Sequence, residues 1–270
     1  LNINTGEGRV RKKQLWKRML TMLVAGVCTL AALTTANADI GTEQWNSTYN
    51  SPASGHSGEF MGIGFHPDGS LLASGFRSEP DSATAVGIRY DTTSGAALDT
   101  PVEWILYPTT GWGDYTHDRF YGQFIEADGD IYLAGWGRND SGFRVSAPAL
   151  LKYKKTVTGT SEMLWEKRYT PNSIQHGGYN GVAVNAAGDV YAAGWFGKDS
   201  SSAVGNDWFV HKFDSSGVES TGFPLIFNYM GLDDGIESIA IDSEGNFIVA
   251  GYVTVDATVD HRNWFCFGSA

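Results

Sequence analysis

Residues 177–195 read GGYNGVAVNAAGDVYAAGW, and the same pattern stands at 58–76 (GEFMGIGFHPDGSLLASGF), 118–136 (DRFYGQFIEADGDIYLAGW) and 233–252 (DDGIESIAIDSEGNFIVAGY). Aligned, the segments agree column by column. The glycines near their ends, Gly75, Gly135, Gly194 and Gly251, are spaced 60, 59 and 57 residues apart. Six residues before each stands Gly69, Gly129, Gly188 or Gly245. One residue after comes an aromatic: Phe76, Trp136, Trp195 or Tyr252. Thirteen before comes a small residue, Gly62, Gly122, Gly181 or Ser238. Self-similarity at one fixed period marks a repeat architecture.

Each unit reads as four short strands. The alternation Val182/Val184 or Ile239/Ile241 is that of a strand. The glycine of each following turn supplies the positive φ a tight hairpin needs. Second strands are expected at 71–75, 131–135, 190–194 and 247–251, and third strands at 85–90, 149–153 and 208–213. Fourth strands are expected at 102–107, 164–169 and 225–229. No amphipathic helix pattern follows the first 38 residues. The predicted fold is therefore all-β: a β-propeller of four-stranded antiparallel blades, with four repeats, at about 59–107, 120–169, 179–229 and 236–267. The small first-strand residues fit an innermost strand, and the aromatics after the strand glycines are expected to pack between blades.

The last repeat has three strands, and residues 43–50 (Gln44-Trp45-Asn46-Ser47-Thr48-Tyr49 and neighbours) repeat the spacing of Trp165 and Tyr169. They are predicted to complete that blade as its fourth strand and close a four-blade ring. The alternative is a fragment of a larger propeller.

Three stretches, Ile239–Gly251, Trp208–Gly217 (WFVHKFDSSG) and Leu164–Tyr169 (LWEKRY), resemble the bacterial β-propeller repeat family known as SBBP, and the period is similar to that of delta-60 repeats. The resemblance spans about residues 43–267. It implies a secreted or cell-surface bacterial protein and brings no catalytic motif with it.

Residues 1–38 read as a signal peptide. A basic stretch from Arg9 to Arg18 leads into an apolar run from Met19 to about Leu33, ending in Ala36-Asn37-Ala38. The run is short for a membrane span, which takes ~20 apolar residues; an uncleaved anchor is the competing reading. The leader holds six of the nineteen basic residues and one of the thirty acids, leaving 13 and 29, a formal charge of −16, on residues 39–270. Such a surface repels phosphate, so nucleic acid and anionic membranes are poor partners. Cys266 is the only cysteine after the leader, so this part holds no internal disulfide. A monomer is expected, secreted, periplasmic or on the cell surface.

Catalytic signatures are absent: there is no Gly-x-Ser-x-Gly, His-Glu-x-x-His or Cys-x-x-Cys. Asp128-Gly129-Asp130 and Asp242–Asn246 have turn chemistry without the spaced ligands of a calcium loop. One column is suggestive. Eighteen residues before the strand glycines stand Ser57, His117, His176 and Asp233, with His56 adjacent. If these loops converge on the axis, His117, His176, Asp233 and His56 make the ligand set of a divalent transition metal. The alternative is local backbone capping. The remaining histidines, His66, His211 and His261, share no column and read as surface or strand-face residues. The leading functional expectation is a non-enzymatic binding or scaffold propeller with a protein or glycan ligand. A metal-dependent hydrolase or lyase with an axial site, and a repeat module of a larger surface protein, are the alternatives. Mass spectrometry of the exported protein is expected to find Asp39 at the N-terminus; a terminus upstream of Met19 would refute processing.

Overall fold

The computed structural model describes residues 58–79, 82–99, 101–104, 117–139, 145–155, 161–169, 176–197, 205–256 and 261–268. All lie in one compact unit, Trp45–Ala270. The predicted clasp at 43–50 lies outside the described residues, as does His56.

Strands are the regular elements of the described residues. Blade 1 comprises β1 (Gly58–Phe65), β2 (Leu71–Glu79), β3 (Ser82–Tyr90) and β4 (Val102–Trp104). Blade 2 comprises β5 (Arg119–Ile125), β6 (Ile131–Asn139), β7 (Val145–Lys155) and β8 (Ser161–Arg168). Blade 3 comprises β9 (His176–Val184), β10 (Val190–Gly197), β11 (Asn206–Phe213) and β12 (Leu225–Phe227). Blade 4 comprises β13 (Asp234–Ile241), β14 (Phe247–Asp256) and β15 (His261–Gly268). Each sheet runs in chain order, every neighbouring pair antiparallel. The first strands lie side by side, β1 on β5, β5 on β9 and β9 on β13. This is the blade arrangement of a β-propeller. No helix of the described residues is long and apolar enough to cross a membrane.

The repeated glycines now have causes. Gly69, Gly129, Gly188 and Gly245 take φ of 84 to 95° in the first turn of each blade, a region L side chains avoid. Gly75, Gly135, Gly194 and Gly251 sit against a β-bulge between the first two strands of their blades. There a carbonyl of the first strand presses on the glycine. A Cβ would lie 1.8–2.0 Å from the oxygen of Glu59, Arg119, Gly178 or Gly235. Each bulge re-aims the innermost strand.

The small residues of the first strands are required by neighbouring blades. A Cβ on Gly122 would stand 2.7 Å from the Cα of Gly181, and one on Gly181 would stand 3.0 Å from Ile239 Cγ2. Two members of the aromatic column, Phe76 and Trp136, pack between blades. The Arg119 guanidinium lies 4.2 Å over the Phe76 ring, and Gly178 leaves room for Trp136, whose Cδ1 would be 2.7 Å from an added Cβ.

Every blade has two unlike faces. Alternate residues of the second strand (Leu72; Tyr132 and Ala134; Tyr191 and Ala193) point to the next blade. The residues between them (Ile131 and Leu133; Val190 and Ala192; Phe247 and Val249) point to the one before. Leu72, Ala85 and Trp104 thus join Phe120, Ile131 and Leu133 in one core. Tyr132, Ala134 and Leu150 join Tyr179, Val190 and Phe209 in a second. Tyr191, Ala193 and Trp208 join Ile236, Phe247 and Val249 in a third. Among the described residues no such core joins blade 4 to blade 1.

Replacing Gly135 with Ala is expected to destabilise the fold by about 3 kcal/mol or more, the upper end of overpacking costs, because backbone and not a flexible side chain must move. Gly87→Ala, whose Cβ would meet Leu133 and Val102 at 3.5 and 4.0 Å, is expected to change little. Urea unfolding of the two variants checks the contrast.

Candidate functional site

The hairpin of β14 and β15 leans against the β11–β12 edge of blade 3 and leaves a cleft of about 210 Å³ between them. Its walls are aromatic and come from both blades: Trp208, Phe227 and Tyr229 on one side, Phe265 and Phe267 on the other. Strand alternation puts them there. Phe265 and Phe267 are two residues apart on β15 and share a face, while Trp208 and Phe227 are register partners on β11 and β12. Trp208 is fixed by its indole N–H, which donates to the Tyr252 carbonyl at 2.8 Å. It meets Phe265 edge-on at 6.2 Å, and Phe227 meets Phe267 at 5.5 Å. Phe227, Tyr229, Phe265 and Phe267 remain exposed.

Asp234 and Asn228 supply polar groups beside the rings. Asp234 is buried, and its carboxylate oxygens accept the backbone N–H groups of Tyr229 at 2.7 Å and Thr254 at 3.2 Å. Burial pushes its pKa up; these two hydrogen bonds pull the other way, and the nearby Asp207 and Asp233 charges add to the rise. Asn228 donates its amide to Asp207. The Asp234 carboxylate is thus oriented by backbone, and the cleft offers chiefly ring faces.

The histidine and aspartate column has a different geometry. His117 bridges Ala83 near the start of β3, and the neighbouring Asp118 N–H donates to the Ala83 carbonyl at 2.8 Å. His176 Nδ1 lies 3.4 Å from the Ser146 N–H and 3.3 Å from its hydroxyl, near the start of β7. Asp233 accepts the Asn206 N–H, at the start of β11, at 2.9 Å. Each residue therefore reaches back to the third strand of the preceding blade. The three sit at three separate junctions and are not brought to one point.

Among the described residues, three potential ligand groups whose donor atoms all lie within 4.8 Å of one another are Glu126, Asp128 and Asp130. A cation already faces two of them: Lys152 Nζ is 3.2 Å from Glu126 and 3.0 Å from Asp130. The arrangement recurs. Arg89 reaches Asp68 at 2.5 Å in blade 1, and Lys212 reaches Asp189 at 2.8 Å in blade 3. In register these bases stand opposite Leu72, Tyr132 and Tyr191; the place opposite Ile248 in blade 4 is Gly268. The first turn of three blades is tied to the third strand by an ion pair, which in blade 2 engages Glu126 and Asp130.

His211 lies on a strand face, but a fully buried one. Phe209 and Phe213, two residues away on either side, share that face, and this period of two is the signal that could have placed it. The Tyr179 hydroxyl pairs with Nδ1, and the Tyr169 ring is 4.4 Å away. Burial drives its pKa down to about 3. The cleft aromatics were also missed. Their signal is a rise in size along the columns: the register places of Phe265 and Phe267 are held by Val86 and Ile88 in blade 1, Ala149 and Leu151 in blade 2, and Phe209 and His211 in blade 3.

No protein-family model matches the chain, and no curated protein matches it. Solved structures resemble it at low identity. A Bacteroides caccae protein of unknown function is 13% identical, with a TM-score of 0.40, over 79% of this chain and 62% of that one. A Penicillium chrysogenum α-L-arabinanase, solved with arabinobiose, is 11% identical, with a TM-score of 0.48, over 77% and 61%. A Xanthomonas campestris gluconolactonase is 12% identical, with a TM-score of 0.25, over 70% and 68%. The match spans about three fifths of the first two proteins. At these identities the activities of these proteins do not transfer to this chain.

His211 has a pH consequence. Unfolded, its imidazole titrates near 6.5, and folded near 3. The unfolded chain takes up the proton first as pH falls. Stability from this group is complete above pH 6.5 and is lost through the window toward pH 3, by about 1.4 kcal/mol per pH unit. Urea midpoints measured across that window are expected to lose this slope in His211→Gln.

Proposed function

We propose that this chain is an exported, non-enzymatic β-propeller binding protein, and that the aromatic cleft between blades 3 and 4 takes a neutral glycan. The observation that carries the reading is the convergence of Trp208, Phe227, Tyr229, Phe265 and Phe267 from two blades on one cleft. A sugar ring has an apolar C–H face that stacks on such rings and a polar rim of hydroxyls. Asn228 and Tyr229, which line the cleft, carry the polar groups such a rim would need. Rigid aromatic walls with few polar groups are the usual make-up of a small-molecule site. The formal charge of −11 on the chain disfavours acidic ligands. Both oxygens of Asp234 accept backbone hydrogen bonds, which suits an orienting role better than proton transfer. The leader pattern at 1–38 and the SBBP-like repeats support export to a bacterial surface or periplasm.

Titration calorimetry with neutral oligosaccharides tests the site. Phe265→Ala and Phe227→Ala are each expected to weaken binding about tenfold, equivalent to ~1.4 kcal/mol, while the fold persists, because both rings are half exposed. Unchanged affinity in both variants, or no binding across neutral glycans, would refute it.

A further inference from the structure

Backbone strain sits beside the aromatic cleft. The chain leaves β12 at Phe227 and enters β13 at Asp234. Asn228 and Tyr229, which follow β12, line the cleft. The next residue, Met230, has a φ of 58°, the one non-glycine in the left-handed region among the described residues. A side chain there crowds its own backbone, and a thioether has no local hydrogen bond to offset the cost. Glycine takes this conformation freely, and the chain places one at the next position, Gly231, with a φ of 71°.

Two buried carboxylates hold the turn. Asp234 accepts the Tyr229 N–H at 2.7 Å, and Asp207 accepts the side-chain amide of Asn228. The oxygen of that amide accepts the Gly231 N–H at 2.7 Å. The Leu232 N–H returns to the Tyr229 carbonyl at 3.4 Å. Behind Leu232 the chain is packed so closely that a Cβ on Gly205 would stand 2.1 Å from the Leu232 carbonyl carbon. The backbone is fixed on both sides of Met230, so its conformation is imposed. The side chain itself belongs to none of the buried cores and is 69% exposed.

We propose that residues 228–232 form a preformed lip of the cleft and that Met230 is a contact residue for the sugar ring bound there. This role rests on the glycan reading of the cleft, to which it adds a contact at the mouth. Strained residues persist where their surroundings over-determine them, and they cluster at ligand clamps. A flexible, polarisable thioether adapts to an apolar C–H face, while the rigid rings of Phe227, Phe265 and Phe267 set the walls. A turn ordered before the ligand arrives loses no further freedom on binding. Asp234 is its positioning residue, acting through the Tyr229 N–H.

The test is titration calorimetry with maltotetraose, cellotetraose and xylotetraose, paired with thermal unfolding without ligand, on wild type, Met230→Gly, Met230→Leu and Phe265→Ala. Met230→Gly is expected to weaken binding about fivefold. Its thermal midpoint is expected to lie within about 2 °C of the wild type or above it, because glycine relieves the strain. Met230→Leu keeps an apolar side chain and is expected to bind within about twofold of the wild type. Binding that falls in Phe265→Ala but not in Met230→Gly overturns the role of Met230 and leaves the cleft reading standing. A midpoint lowered further in Met230→Gly also overturns it, since the side chain would then serve the fold. So does Met230→Leu binding no better than Met230→Gly. A wild type that binds none of the three sugars refutes the cleft reading, and the role of Met230 with it.

Discussion

A carbonyl oxygen pressed against a glycine Cα holds each blade in shape. Two strands of a regular ladder would keep every residue opposite one partner. Here the first strand carries one residue too many, and the surplus pushes a main-chain oxygen into space that any side chain on the second strand would need. The bulge twists the first strand relative to the second. That twist lets four innermost strands lie edge to edge with gaps only a glycine or serine wide. Remove the glycine and the bulge must move. Move the bulge and the narrow contact between Gly122 and Gly181 is lost.

The rest of the fold is a way of joining such blades. Apolar packing between unlike faces supplies most of the attraction, since burying a large side chain is worth roughly 1.5–3 kcal/mol. Packing alone does not define the angle between sheets. Directional bonds across the junctions do that: Trp208 to the Tyr252 carbonyl, Asn180 to the Ile236 carbonyl, and Gln123 to the Leu72 carbonyl. The column containing His117, His176 and Asp233 belongs to this set. Its members act on the preceding blade's third strand, where the chain crosses from one blade to the next.

Binding capacity arises where the repeat is broken. Blades 1 and 2 hold smaller residues at the third-strand places that carry the cleft rings in blades 3 and 4: Ala85 and Pro148 at that of Trp208, Val86 and Ala149 at that of Phe265, and Ile88 and Leu151 at that of Phe267. Large rings at these places hold the outer parts of the two sheets apart and leave the cleft. The inner parts stay in contact through Ile236, Ile239 and Tyr191. Repetition makes the scaffold rigid, and local exceptions give it a surface with chemistry.

The repeat period, the strand order within a blade, the turn glycines and the column of strand glycines, though not the bulges those glycines accommodate, were legible in the amino-acid sequence. Each is a short-range demand of the backbone, repeated four times, and chance does not copy a column of glycines. The sequence also marked the first strand as innermost, through its small residues. It did not reveal where the column of His117, His176 and Asp233 points, that His211 is buried, or that Trp208, Phe227, Phe265 and Phe267 share a cleft. These depend on the rotation from one blade to the next, which is set by the summed packing of whole faces and by hydrogen bonds between residues up to 63 positions apart. Equivalent positions in a repeat have equivalent backbones. Whether their side chains meet one another or meet the neighbouring blade is decided only when the blades are assembled.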